Sequence, residues 1–268
     1  MTDPRVRRWG ALAAALVGGY LMHVALDTTT DAGTSVWTFL LGLVLWVAVA
    51  AVLLRFYRPG TETFSADEVG IASEWRVARF LRVGQDAAPL YLGVRLFLAY
   101  EWLHAGWGKL NNPAWAETGT ALQGFWQRAV TIPASGSPPV AYPAYRALLQ
   151  FMLDHGWYTW FAKLIIAGEL LVGLGLLLGG LTAIAAFFGL LLNFSFVYAG
   201  SASSNPTLIL LEALIIFGWR VAGLWGLDQY LLPWLGTPWG RKAPAAPAVP
   251  AVPAEAAEAA PPVQVRPA

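Results

Sequence analysis

Six stretches of mainly apolar residues divide the chain: Trp9–Leu26, Val36–Leu54, Ala88–Gly106, Trp157–Leu178, Leu181–Ala199 and Thr207–Gly226. Each is close to the roughly 20 residues that carry a helix across a bilayer's hydrocarbon core. Only Gly179 and Gly180 separate the fourth from the fifth, which predicts a tight antiparallel hairpin. Between the third and fourth lies a long aromatic segment, Trp107–Gly156. Its pattern predicts one short helix over Ala116–Ala129, with Leu122, Phe125 and Trp126 apolar. A second is predicted over Ala141–Asp154, opened by Pro143, with Tyr145, Leu148, Leu149 and Met152 at helical spacing. Pro133–Pro139 between them must be irregular, and the two helices are expected to cover the outer mouth of the bundle.

Five segments follow from this pattern. Residues 1–60 form an N-terminal two-helix membrane hairpin, and residues 61–87 a cytoplasmic connector. In the connector Trp75, Val77, Ala78, Phe80, Leu81 and Val83 alternate with Arg76, Arg79 and Arg82, the pattern of a short amphipathic helix on anionic lipid or of a positive flank. Residues 88–228 form a four-helix membrane domain whose external loop is 107–156, and residues 229–242 a cytoplasmic flank. Ala and Pro dominate residues 243–268, an expected disordered tail.

Composition decides the solvent. Apolar residues make up 57% of the 268, charged residues only 12%, and mean hydropathy is +0.54. A soluble domain carries about 25% charge, so this chain needs a bilayer. A net charge of +1 carries no field for nucleic acid. The absence of cysteine excludes intrachain disulfides, dithiol motifs and cysteine-held iron–sulfur clusters. Fourteen tryptophans suit the two membrane interfaces. Arg5, Arg7, Arg8, Arg55, Arg58, Arg76, Arg79, Arg82, Arg241 and Lys242 fall on one side of the spans. The positive-inside rule makes that side cytoplasmic, with both termini there and six spans in the cell (inner) membrane. The first span reads as an uncleaved anchor.

Charge inside a span costs roughly 2.5–3.5 kcal/mol on insertion scales, so retained charges are paired or used. The third span carries Arg95, Glu101 and His104, with Lys109 just beyond. The fourth carries Lys163 and Glu169, the fifth Asn193, and the sixth Glu212 and Arg220. The first two spans carry only His23, so functional polarity is expected in the last four. At about 1.5 Å per residue, Glu101, His104, Lys109, Lys163, Glu169, Asn193 and Glu212 share the outer half, and Arg95 and Arg220 the inner half. Four helices converging on one layer predict a polar pocket open to the outside. The plainer reading is interhelical glue, with Lys163 snorkelling outward. His23, His104 and His155 lack a paired spacing for haem or a metal, so no metal is expected.

The run Arg95-Leu96-Phe97-Leu98-Ala99-Tyr100-Glu101-Trp102-Leu103-His104-Ala105-Gly106-Trp107-Gly108-Lys109-Leu110, followed by Pro113 and Trp115, resembles the first helix of the DoxX-like membrane proteins. Gly106, Lys109, Leu110 and Pro113 match that family's G-x-x-K-L-x-x-P stretch. Glu169 followed by Gly173 to Thr182 resembles its second helix and turn, and Gly119, Gly124, Phe125 and Trp126 fit the external loop of longer members. The resemblance covers about residues 88–228 and implies a DoxX-like four-helix bundle preceded by two further spans. The family includes the DoxD-like subunit of a thiosulfate:quinone oxidoreductase. The resemblance therefore implies a membrane subunit of a quinone-linked oxidoreductase, with thiosulfate or another reduced sulfur compound as donor and quinone as co-substrate.

On that expectation Glu101, Glu169 and Glu212 relay protons as catalytic residues. Arg95, His104, Lys109, Lys163 and Asn193 bind substrate or quinone, and a sulfur oxyanion favours Lys109, Arg128 and Lys163. No residue carries an electron by a known cofactor motif. Electrons then pass between bound substrates, or a second subunit holds the cofactor; a homo-oligomer is the other expected assembly. The alternatives are a non-catalytic scaffold for a redox enzyme and a small-solute or proton-coupled transporter.

Overall fold

The computed structural model describes residues 3–27, 32–57 and 75–236. The connector from 58 to 74, the flank beyond 236 and the tail 243–268 lie outside the described residues. All regular elements among the described residues are helical. They are α1 (Pro4–Leu26), α2 (Ala32–Phe56), α3 (Arg76–Val83), α4 (Ala88–Leu110), α5 (Pro113–Ala116), α6 (Thr120–Val130), α7 (Pro143–Asp154), α8 (Tyr158–Leu178), α9 (Thr182–Tyr198), α10 (Asn205–Phe217), α11 (Trp219–Ala222) and α12 (Asp228–Trp234).

Local chemistry explains the ends. Asp3 accepts the Arg5 N–H at 2.8 Å and Pro4 opens α1, where its missing N–H costs nothing. Prolines also open α4, α5, α7 and α10. Gly179, at φ +63°, closes α8 in the left-handed conformation that favours glycine.

Three helices are long and apolar enough to cross a membrane: Pro4–Leu26, Thr34–Phe56 and Tyr158–Leu178. The helices Thr182–Tyr198 and Asn205–Phe217 are apolar but shorter, at 17 and 13 residues. Outward faces stay apolar: Val44, Leu171 and Leu210 are 62%, 68% and 72% exposed. A helix facing water carries polar residues there; these carry the side chains that suit hydrocarbon.

The long helices alternate in direction. Trp46 Nε1 donates to the Ala15 carbonyl and Ser35 Oγ to the Ala25 carbonyl, so α2 runs antiparallel to α1. Helix α4 runs parallel to α1 at a constant offset. Arg8 bonds Asp86, just before α4; Ala15 packs on Gly93, Gly19 on Phe97, and His23 bonds Glu101. The small residues at these crossings let the two backbones approach closely. Helix α8 then runs antiparallel to α4, with Leu103 on Gly173 and Leu170 on Gly106. Helices α9 and α10 complete the bundle beside α4 and α8.

The external segment differs slightly from its sequence pattern. In place of one helix over Ala116–Ala129 there are two, α5 and α6, joined at Gly119. Gly119 has φ +73°, and a Cβ there would press on the Tyr158 carbonyl, so the turn docks against the start of α8. Leu122, Trp126, Leu149 and Met152 from α6 and α7 bury against Ala162 and Ile165 of α8. Helix α3 buries Phe80 and Val83 and leaves Trp75, at its start, 86% exposed.

The sixth apolar stretch is not one helix to Gly226. It stops at Phe217, turns at Gly218, makes the single turn α11 and then folds back. Arg95 of α4 reaches into this break. Its Nη1 donates to the Ala222 carbonyl and its Nη2 to the Trp225 carbonyl, both at 2.8 Å. Asp228 accepts the Leu181 and Thr182 N–H groups, capping α9, while the Leu227 and Asp228 N–H groups bond the Leu178 and Gly179 carbonyls. Two freed carbonyls of the broken apolar helix are thus satisfied by one guanidinium, and the first N–H groups of α9 by one carboxylate.

Candidate functional site

The candidate site lies at the opposite end, where α5 and α6 cover the bundle. A cavity of ≈ 570 Å³ opens there between α4, α6, α8 and α9 and the start of α10. Glu101, Trp102 and Lys109 of α4, Glu169 of α8 and Asn193 of α9 line it, with Arg128 of α6 and Ser201, Ser203, Ser204 and Asn205 before and within α10.

Two buried polar assemblies form its wall. In the first, Lys109 Nζ donates to both oxygens of Glu169 at 2.8 Å. The Glu169 side chain is 1% exposed and that of Lys109 21%, so the ammonium faces the cavity while the carboxylate sits behind it. Trp115 lies 5.4 Å from the same ammonium, within cation–π range. In the second, Glu212 is fully buried. Trp102 Nε1 donates to its Oε1 at 2.8 Å, and Asn193 Nδ2 donates to Oε1 and Oε2 at 3.0 and 2.9 Å. Asn193 Oδ1 is buried without a hydrogen-bond partner. Glycine at 189 makes room, since a Cβ there would meet both Glu212 Oε1 and Trp102 Nε1.

Glu101 faces another way as well. Its Oε1 lies 2.8 Å from Nδ1 of His23, on α1. The His23 ring meets Tyr100 edge-on with centroids 4.7 Å apart, and Tyr100 stacks on His104. Ser203, at the cavity rim, holds φ +39°, an uncommon conformation for a residue with a side chain.

The residues singled out in the sequence therefore divide into groups. Glu101, Lys109, Glu169 and Asn193 come together around one cavity. Glu212 joins them only through Asn193 and Trp102 and does not line the space, a correction to the expectation that it shares the polar pocket. Arg95 lies at the far end on backbone carbonyls. His104 is exposed beside Tyr100, and Lys163 is exposed on the outer face of α8; neither lines the cavity. Polarity is not confined to the last four spans, because His23 brings α1 to the site.

Trp102, His23 and Asp228 have structural partnerships the sequence did not show. Only His23 carried a signal, as the sole histidine or charged residue in the first two apolar stretches, near the end of the first. Among the described residues, no group of three or more His, Asp and Glu side chains is placed to hold a metal. The fold and site define an all-helical chain with membrane-length apolar helices and a polar cavity at one end. No protein-family model matches this sequence, and neither does any curated protein or solved structure.

Proposed function

We propose that the chain is a six-span protein of the cell (inner) membrane, with both termini cytoplasmic, and that its last four spans form a DoxX-like bundle. In this reading it is the membrane subunit of a quinone-linked oxidoreductase that takes electrons from thiosulfate or another small reduced sulfur oxyanion. The observation that carries the reading is the cavity itself. Arg128 and Lys109, the latter already bonded to Glu169, offer cations beside the Glu101 carboxylate, and Ser201, Ser203 and Ser204 offer hydroxyl donors, around ≈ 570 Å³ of space at one end of an apolar bundle. Cations and neutral donors converging in a partly desolvated pocket are the chemistry that holds an oxyanion.

The electron balance gives the carboxylates a task. Two thiosulfate ions joining through a sulfur–sulfur bond release two electrons and no proton. A quinone accepting those electrons takes up two protons, which the protein must route to it. Glu101 lines the cavity and touches His23, so it stands on such a route. The Lys109–Glu169 pair holds the floor of the oxyanion site. No residue supplies a redox cofactor, so electrons move between bound substrates or through a partner subunit.

The test is reduction of decyl-ubiquinone by thiosulfate in proteoliposomes containing the purified chain, with and without proteins that co-purify from native membrane. Donor-dependent reduction lost in Arg128→Ala supports the reading. A stoichiometric partner that is fully active without this chain favours a scaffold, and thiosulfate uptake without quinone reduction favours a transporter.

A further inference from the structure

A second cavity, of ≈ 350 Å³, opens on the opposite side of α4, between α4 and α1. Leu16, Gly19, Tyr20 and His23 line it from α1, and Phe97 and Tyr100 from α4. Its volume falls within the usual range of small-molecule sites, about 300–1,000 Å³. Its rim is apolar and outward-facing: Leu16 and Tyr20 are 41% and 66% exposed. In a bilayer this mouth meets hydrocarbon, so the ligand that reaches it arrives through the lipid. Aromatic walls and a glycine at 19 leave a slot suited to a flat ring.

One polar group interrupts the slot. His23 presents its imidazole there, and its Nδ1 is held by Glu101, which lines the outer cavity. The hydrogen-bonded pair thus passes beside α4 and joins a lipid-facing groove to a cavity facing the other way. We propose that this groove seats the headgroup of the membrane quinone, with His23 bonded to a ring oxygen and Glu101 as its link to the water of the outer cavity. The assignment rests on the quinone-linked reading above and gives the N-terminal helix pair a role in it.

The chemistry fits both redox forms. With Nδ1 on Glu101, the imidazolium donates its Nε2–H to a quinone carbonyl, and the neutral ring accepts an O–H from the quinol. When the quinone takes two electrons from the donor, the ring oxygen bonded to His23 takes one proton from Nε2, and the other oxygen takes its proton from water at the membrane surface as the reduced ring leaves the groove. Glu101 returns the first proton to His23 from the outer cavity.

The experiment uses the full chain in phosphatidylcholine nanodiscs with a photoreactive azido-ubiquinone, followed by peptide mapping of the label. Label on the 16–23 and 93–100 segments, displaced by excess decyl-ubiquinone, is expected. Leu16→Trp fills the rim from an exposed position and should lower that label about tenfold without changing the melting temperature. His23→Leu should lower it by a similar factor, about the loss of one hydrogen bond to a charged group. Label in the outer cavity, label indifferent to decyl-ubiquinone, or full labelling in both variants overturns the proposal. Thiosulfate-dependent turnover that persists unchanged in Leu16→Trp removes the groove while leaving the quinone-linked reading intact. Wild-type chain and its partners that neither label nor reduce quinone remove both.

Discussion

The ion pair of Lys109 and Glu169 is the sharpest test of what a single residue does in this bundle. A carboxylate buried to 1% exposure depends on its ammonium partner. Removing one partner of a buried pair costs about 3–5 kcal/mol because the other charge remains uncompensated, whereas removing both is often neutral. Lys109→Met should therefore lower the melting temperature strongly in detergent, and Lys109→Met with Glu169→Gln should recover most of it. An equal loss in the double variant would show that the two residues act independently. Glu212 predicts the opposite hierarchy, because its donors, Trp102 and Asn193, are neutral. Glu212→Gln keeps Oε1 as the acceptor for Trp102 and, with the Asn193 amide turned, donates from Nε2 to Asn193 Oδ1, so stability should stay within about 0.5 kcal/mol of wild type. Glu212→Leu strands two buried donors and should cost about 2–4 kcal/mol. Thermal melts of the two variants check this directly. Glu101, Glu169, Asn193 and Glu212 were legible in the sequence because polar groups inside apolar runs are expensive and must find partners. Which partners they find was not, since His23 and Trp102 lie 78 and 110 residues from the carboxylates they bond.

Among elements, the apolar runs gave the long helices nearly to their ends, because backbone bonds in hydrocarbon must be closed within the helix. The pattern failed at the sixth run. Val221, Ala222 and Leu224 continue the apolar character past Gly218, so hydropathy shows no stop, yet the helix ends at Phe217. The break is fixed by Arg95, which comes from 127 and 130 residues away, and Asp228 at its end ties it to the start of α9. Arg95 is planar and forked, and it spans two carbonyls of the break at once. A lysine ammonium is a point donor on a flexible stem and does not reproduce that fork. Arg95→Lys should therefore destabilise the chain, and limited proteolysis should open first between Gly223 and Leu227. Asp228→Ala removes the cap of α9 and should cost about 1–2 kcal/mol. If both variants melt as wild type does, the inner clamp is not what holds the break. The Gly179–Gly180 hairpin, by contrast, was readable at once, since two glycines between apolar runs leave no alternative to a turn.

At the scale of the whole molecule, alternating helix direction and one-sided positive charge lead to the same topology. Helices α1 and α4 run parallel and in register, and α2 and α8 run against them. Arg8 and Arg82 therefore lie at one end, and the cavity with Arg128 at the other. If α1 crosses the bilayer from the cytoplasm, α4 must do the same, so the four-helix unit inherits its orientation from the N-terminal pair. The absence of native cysteine makes this measurable with single introduced thiols. Trp75 is 86% exposed at the start of α3, and Arg128 is exposed on α6. Arg128→Cys should react with a membrane-impermeant maleimide in intact cells. Trp75→Cys should react only after the membrane is opened, if the end that carries α3 is cytoplasmic as proposed. Ser203→Cys, at the cavity rim, should label from outside and should be protected by thiosulfate if the cavity holds that anion. Reversed labelling of positions 75 and 128 would invert the topology. Labelling of both from one side would mean that α4 does not cross, because the two positions flank that helix and only a crossing α4 separates them.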